Sequence, residues 1–208
     1  MKPFNDKIET EEELQNLLGQ PSELVRNKTI DFLDDHCKDF ISRSPILFMA
    51  TGNKQGSDVS PRGDYPGFVK ILTERFLLIP ERPGNKKMDT MRNILANPKV
   101  GLIFIIPGLG ETLRVNGKAS LIKDKHLLAQ MSIKGKQPLI AIAVEVEECF
   151  IHCAKAFKRS KLWDVHEWPE KETLPPVAEI LKAHAKIPGL TTEEITKNLN
   201  ESYTKRLY

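Results

Sequence analysis

The sequence predicts a mainly β chain, a small antiparallel barrel with peripheral helices. Three observations predict it. From Pro45 onward, short apolar or β-branched runs alternate with turn residues; only two helical segments interrupt those runs; and the remaining helical periodicity is confined to the two ends of the chain. A chain of 208 residues suits one domain with extensions and can bury a sizeable core.

Residues 6–42 carry apolar positions at three-to-four-residue spacing, among them Val25, Ile30, Leu33 and Phe40, and read as helix divided in two by Gly19 and Pro21. At Pro45 the period changes. Strand candidates follow at 46–51, 57–61, 69–72, 75–79, 100–106, 111–122 and 139–147, the first two joined by the turn Gly52-Asn53-Lys54-Gln55-Gly56. A helix at 85–96 places Met88, Met91, Ile94 and Leu95 on one face and stops at Asn97-Pro98. Another, at 124–134, opens on Asp124 as N-cap and spaces Leu127, Leu128 and Met131 helically. Beyond Asp164 the segment EWPEKETLPP is an extended Pro-rich linker. Short helices follow at 177–185 and 191–199, the second introduced by Thr192 and Glu194.

Charge narrows the function classes. With 31 Lys+Arg against 28 Asp+Glu the net charge is +3, and no polybasic field favours nucleic acid or a membrane surface as partner. No apolar run approaches the roughly 18 to 20 residues that span a bilayer, and the polar, acidic start lacks the apolar stretch of a secretory signal. Three cysteines, Cys37, Cys149 and Cys153, form no disulfide framework and point to a reducing cytoplasm.

Four clusters carry possible chemistry. Ser60-Pro61-Arg62-Gly63-Asp64 ends a strand, where Arg62 can grip two oxygens of a phosphate or simply pair with Asp64. Arg82-Pro83-Gly84-Asn85-Lys86-Lys87 opens the helix ending at Ala96; lysines oppose the helix dipole there unless an anion lies between, although a solvated basic turn reads equally well. Cys149-Phe150-Ile151-His152-Cys153 raises zinc, but CxxxC with Cys37 far upstream is not a four-ligand pattern, and buried cysteine is the better reading. Lys155, Lys158, Arg159, Ser160, Lys161 and Trp163 place cations, a hydroxyl and an indole within nine residues; the indole covers a flat ring or packs the barrel end. GxSxG, HExxH and CxxC are absent, so catalytic side chains are not assignable, and the reactive group of an enzyme here would be a bound cofactor.

The run SPILFMATGNKQGSDVSPRGDYPGFVKI, then FLLIPERPGNKKMDTMRNILANPKVGLIFIIPG, ETLRVNGKASL and HCAKAFKRSKLWD, spanning roughly residues 30–168, resembles the pyridoxamine 5'-phosphate oxidase-like FMN-binding split-barrel family, and within it a bacterial branch of FMN-dependent enzymes. The resemblance implies a six-stranded antiparallel split β-barrel, a homodimer, and FMN in clefts between subunits. It implies further that Arg62 and Ser60, with Asn85, Lys86 and Lys87, hold the flavin phosphate, that Thr112 faces the ring edge, and that Ser160, Lys161 and Trp163 reach the cleft. The Arg-x-His substrate clamp of true pyridoxamine phosphate oxidases is missing, and about one helical turn is inserted after the RPGN turn. The expected division is a helical extension at 1–42, the barrel at 43–165, and a linker with helical tail at 166–208. An FMN-dependent oxidoreductase acting on a small molecule leads; a non-turning-over flavin carrier and a haem-handling barrel using His126, His152 or His166 are the alternatives.

Overall fold

The structure, a computed structural model, describes residue 4 and residues 6–208. The seven apolar runs form seven strands, β1 (Ile46–Asn53), β2 (Gly56–Gly63), β3 (Lys70–Thr73), β4 (Phe76–Pro80), β5 (Lys99–Ile105), β6 (Thr112–Ile122) and β7 (Ala141–His152). They make one antiparallel sheet in the order β2-β1-β5-β6-β7-β4-β3. The split-barrel expectation therefore holds with one correction: the sheet has a seventh strand, because the short β3 hairpins onto β4 at the edge.

Burial alternates along the strands as a half-buried sheet requires. Leu47 and Met49 of β1, Leu102 and Phe104 of β5, and Leu113 and Val115 of β6 are fully buried and face one another across the register. Leu77 and Ile79 with Ile142 and Val144 extend the same core through β4 and β7. The other face of β4 and β7 is covered locally by α5 (Lys125–Ala129), whose Leu128 packs with Met131, Leu78 and Ala141.

Residues 6–42 contain three helices, not two: α1 (Glu11–Leu18), α2 (Glu23–Asn27) and α3 (Asp35–Arg43). The extra break has a cause. Ile30 leaves the helical path to exchange two backbone hydrogen bonds with Cys149 of β7, of 3.0 and 2.7 Å. Asp34 then restarts the helix, its side chain accepting from the Cys37 N–H at 2.7 Å. The buried Cys37 and Ile41 carry α3 into the core, and Cys37 Sγ lies 3.3 Å from Cys149 Sγ. The adjacent Cys37 thiol and burial push the Cys149 thiol up; the buried reading of the 149–153 cluster holds for Cys149 and is corrected for Cys153, which is exposed.

The helix expected at 85–96 is shorter. α4 (Asp89–Ala96) begins after two left-handed residues, Lys86 (φ 61°) and Met88 (φ 60°), which no helix can include. It packs across β1 and β2, and its buried Asn93 satisfies both ends of its amide: Nδ2 donates to Thr51 Oγ1 at 3.1 Å, and Oδ1 accepts from Asn53 at 2.5 Å. The expected helix 124–134 likewise shrinks to α5, ending before the turn in which Lys134 and Gly135 take positive φ. After β7 come α6 (Lys155–Ser160), α7 (Val177–Ala185) and α8 (Thr192–Lys205). The cap of α8 is Thr191, which closes a capping box with Glu194, one residue before the expected Thr192.

Two strand positions carry residues with special backbone demands. Pro61 sits on β2, an edge strand, where a missing N–H is tolerated. Gly117 marks a bulge at which the β6–β7 register shifts, and a Cβ there would lie 2.0 Å from the Glu145 carbonyl oxygen. Gly117→Ala is expected to lower the denaturation midpoint strongly, whereas Lys118→Ala on the exposed face should stay within about 0.5 kcal/mol of wild type in the same titration.

Candidate functional site at the barrel seam

The sheet is not closed by backbone hydrogen bonds. β2 is one edge, and the residues just after β4, beside the opposite edge, approach it through two ion pairs. Arg62 Nη1 donates to Glu81 Oε2 at 2.6 Å, and Arg82 Nε donates to Asp64 Oδ2 at 2.7 Å. The simple alternative for Arg62, a pair with Asp64 in its own turn, is thus corrected. The two charge pairs cross between the SPRGD and PERPGN segments.

Both pairs are largely withdrawn from water. The Arg62 and Glu81 side chains are 16% and 18% exposed, and Asp64 is 1% exposed. Burial pushes the Glu81 carboxyl above its ordinary value, and the charge and hydrogen bond of Arg62 only partly offset this. Burial also raises Asp64, but the hydrogen bonds from Tyr208, the Tyr65 N–H and Arg82, with the Arg82 charge, outweigh it and hold the carboxyl low. Arg82 Nη1 also donates to the Met131 carbonyl at 2.9 Å. In contrast, Arg62 Nε is buried with no hydrogen-bond partner. A desolvated cationic N–H without an acceptor is costly and is a donor suited to an anion.

Register places the neighbouring expected residues. Arg62 pairs with Leu47 and Ser60 with Met49, so both side chains lie on the core side of the sheet, Ser60 beside Thr90 of α4. Ser60 Oγ donates to Asp58 Oδ2 at 2.8 Å, and the buried Thr90 hydroxyl donates to the same oxygen at 3.0 Å. Asn85 accepts the Lys87 N–H with its side-chain oxygen, shaping the turn. Lys87 is engaged by Asp89 at 2.9 Å, whereas exposed Lys86 makes no ion pair among the described residues. Asn85, Lys86 and Lys87 precede α4 instead of forming its first turn, so the helix-terminus argument for them is corrected.

The other expected residues gather elsewhere. Thr112, only 5% exposed, opens β6 and pairs with His152; alternation with core-facing Leu113 puts it on the outer face of the sheet, opposite to Arg62. Three strand spacings of about 4.8 Å separate β2 from β6, roughly 14 Å in all. Trp163 Nε1 donates to the Leu109 carbonyl at 2.9 Å and its ring stacks on Phe157, with centroids 5.7 Å apart, so the indole fixes the loop leading into Thr112. Ser160 donates to its own helix at the Phe157 carbonyl, and Lys161 pairs with Glu167. Within one chain, therefore, the expected residues fall apart: Ser60 and Arg62 on β2, with Asn85, Lys86 and Lys87 in the turn between Arg82 and α4, and Thr112, Ser160, Lys161 and Trp163 on the elements around the start of β6.

Sequence reasoning missed Glu81, the pairing of Arg82 with Asp64, and Arg114. For the first two, the complementary charges in R-x-D and E-R were the available signal. Arg114 lies two residues from Thr112 on the same face; its Nε is buried without a partner, and its guanidinium carbon lies 5.3 Å from the Phe150 ring centroid, with Lys28 Nζ 5.4 Å from that centroid. Of the histidines, His126 lies on α5, His152 at the end of β7 and His166 after α6, on three separate elements. Among the described residues no group of three or more His, Cys, Asp or Glu could hold a metal. Nor is any helix among them long and apolar enough to cross a membrane. Cavities of about 520 and 420 Å³ lie along α8, lined by none of these residues.

The fold and its seam are those of a split β-barrel. The chain belongs to the pyridoxamine 5'-phosphate oxidase family, whose model matches residues 33–153, more than half the sequence. Among solved structures it is similar to HupZ of Group A Streptococcus (17% identity over 57% of this chain and 92% of that one, TM-score 0.47). It is also similar to a protein related to general stress protein 26, of the pyridoxinephosphate oxidase family, from Clostridium acetobutylicum (12%, 56% and 85%, TM-score 0.42). A third is an FAD-binding protein from Mesorhizobium loti (13%, 60% and 99%, TM-score 0.38). No curated protein matches the chain.

The seam has a measurable energetic signature. Glu81→Ala leaves Arg62 buried and unpaired and should cost about 3–5 kcal/mol in chemical denaturation, whereas the double variant Arg62→Leu/Glu81→Leu should recover most of that loss.

Proposed function

We propose that the chain is a flavoprotein that binds FMN and serves as an FMN-dependent oxidoreductase acting on a small molecule. Membership of the family supports a flavin ligand, and the observation that carries its placement is the unpartnered, buried Nε of Arg62 at the seam. A phosphate there would receive the Arg62 guanidinium edge, with the free ammonium of Lys86 closing from the turn before α4. Lys87, engaged by Asp89, plays the lesser part. Ser60 keeps Asp58 hydrogen-bonded and turned toward Thr90.

Thr112 and Arg114 lie on the opposite face of the sheet, so they would meet a seam-bound flavin most simply from a second copy of the chain. The reading is therefore of a homodimer in which one protomer's seam and the partner's outer face share the ligand. The half-buried apolar side chains of Phe48, Ile103 and Phe150 on that outer face support it. FMN would supply two-electron redox chemistry at its ring. The protein's part is to hold the phosphate at Arg62 and Lys86, to place a hydroxyl (Thr112) and a cation (Arg114) near the ring edge, and to exclude water with Trp163 and its loop.

The test is reconstitution. Wild-type protein is expected to take up FMN and turn yellow, and Arg62→Ala to bind it at least tenfold more weakly, the loss of a charge-assisted contact of about 1.5–3 kcal/mol. Colourless protein that cannot be loaded with FMN, or Arg62→Ala with unchanged affinity, overturns the assignment. Bleaching under anaerobic NADH or NADPH separates an oxidoreductase from a carrier, and a Soret band without flavin absorbance would favour haem.

A further inference from the structure

The C-terminal tail returns to the seam. The Tyr208 hydroxyl donates to Asp64 Oδ1 at 2.8 Å, its carbonyl oxygen accepts from Lys136 Nζ at 2.5 Å, and Lys134 Nζ lies 4.9 Å from its ring centroid. Lys134 and Lys136 belong to the tight turn Ile133–Lys136, just after the Met131 carbonyl that receives Arg82. Tyr208 thus ties the tail to the 133–136 turn and to the SPRGD segment, and Asp64 carries the link on to Arg82 of the PERPGN segment.

The wiring around Asp64 gives this contact a consequence. Asp64 Oδ2 is taken by Arg82, and Oδ1 receives both the Tyr208 hydroxyl and the Tyr65 N–H, the latter at 2.9 Å. Both oxygens of Asp64 are thus held in this state, by three donors, and Arg82 is fixed at two of its nitrogens, by Asp64 and the Met131 carbonyl. The neighbouring Arg62 then faces only Glu81 and keeps its Nε open. Were Asp64 to lose a donor, its carboxylate would become a second acceptor within the seam, competing for Arg62.

We infer that Tyr208 is a positioning residue for the seam: its hydroxyl fixes Asp64, and through Asp64 it fixes Arg82, in the arrangement that leaves Arg62 free for an anion. The inference rests on the proposed reading of the seam as an anion site. Tyr208 does not touch the anion. It takes over from the opposite end of the chain a structural task that neither strand edge performs.

The groups on Asp64 are Arg82 after β4, the Tyr208 hydroxyl of the tail and the Tyr65 N–H, with Lys134 and Lys136 beyond the Tyr208 ring, while Arg62, two residues earlier in the chain, is paired with Glu81. Asp64 is held below its ordinary value, so the stabilisation it contributes is present above the carboxylate range and disappears as pH falls through its folded-state value. Removing one hydrogen-bond donor raises that value, and the acid loss then begins at higher pH.

The experiment compares full-length wild type, Tyr208→Phe and Tyr208→Ala. The Phe variant keeps the ring on Lys134 and the carbonyl on Lys136, and deletes only the hydroxyl. It should keep the fold and melt only a little below wild type, bind FMN roughly three- to tenfold more weakly at neutral pH, and lose affinity at a higher pH on acidification. Without flavin, the Tyr65 amide, which shares Asp64 Oδ1 with Tyr208, should exchange with deuterium faster than in wild type. The Ala variant should in addition lower the melting temperature by freeing the 133–136 turn; if it does not fold, the Phe variant decides. Tyr208→Phe with wild-type Tyr65 exchange and an unshifted acid profile overturns the inference. Should wild type fail to bind FMN, the flavin reading falls, and the exchange arm alone decides: faster exchange upholds the hold of Tyr208 on Asp64, unchanged exchange overturns it.

Discussion

The crossed ion pairs Arg62–Glu81 and Asp64–Arg82 bring the two ends of an open sheet together without a single backbone hydrogen bond between those edges. Such a closure is energetically two-sided. Pairs this deeply withdrawn from water return little net stability, yet breaking one by removing a partner is expensive because a charge is stranded. The seam therefore gives geometry more than cohesion. It fixes how β2 stands to the end of β4, and it leaves one guanidinium nitrogen without an acceptor. The core clusters on either side of β4 and β7 supply the cohesion that the seam lacks.

Much of the fold was legible in the sequence because strand signals are local. Every apolar run after Pro45 became a strand, and α7 fell at the expected 177–185. The errors came where tertiary contacts decide. Ile30 reads as one more apolar position of a helix, but its partner Cys149 lies more than a hundred residues away and draws it into a bridge. The turn before α4 is set by positive φ at Lys86 and Met88, residues with no intrinsic preference for that conformation, so nothing local announced the late helix start.

Of the candidate site, the sequence offered Arg62, Thr112 and the 85–87 turn as residues, but neither Glu81 nor Arg114 and not the arrangement. Periodicity could place Arg62 and Thr112 near strand ends. Which face each occupies depends on the register, and the register puts them on opposite faces. The sequence likewise offered Asp64 as the partner of Arg62 because it is near in the chain, whereas the chain closes through Glu81. Lys86 and Lys87 looked equivalent; one bond, from Lys87 to Asp89, distinguishes them.

Pro61 lies on the edge strand β2, paired in register with Phe48, which shares the outer apolar face with Ile103. A proline there interrupts the row of N–H donors that another chain's strand would need in order to add itself to the sheet. A strand added at this edge would lack a donor at that position, whereas the face-to-face pair proposed above would not draw on it. One five-residue segment thus carries both the break in the edge's donor row and the proposed anion contact.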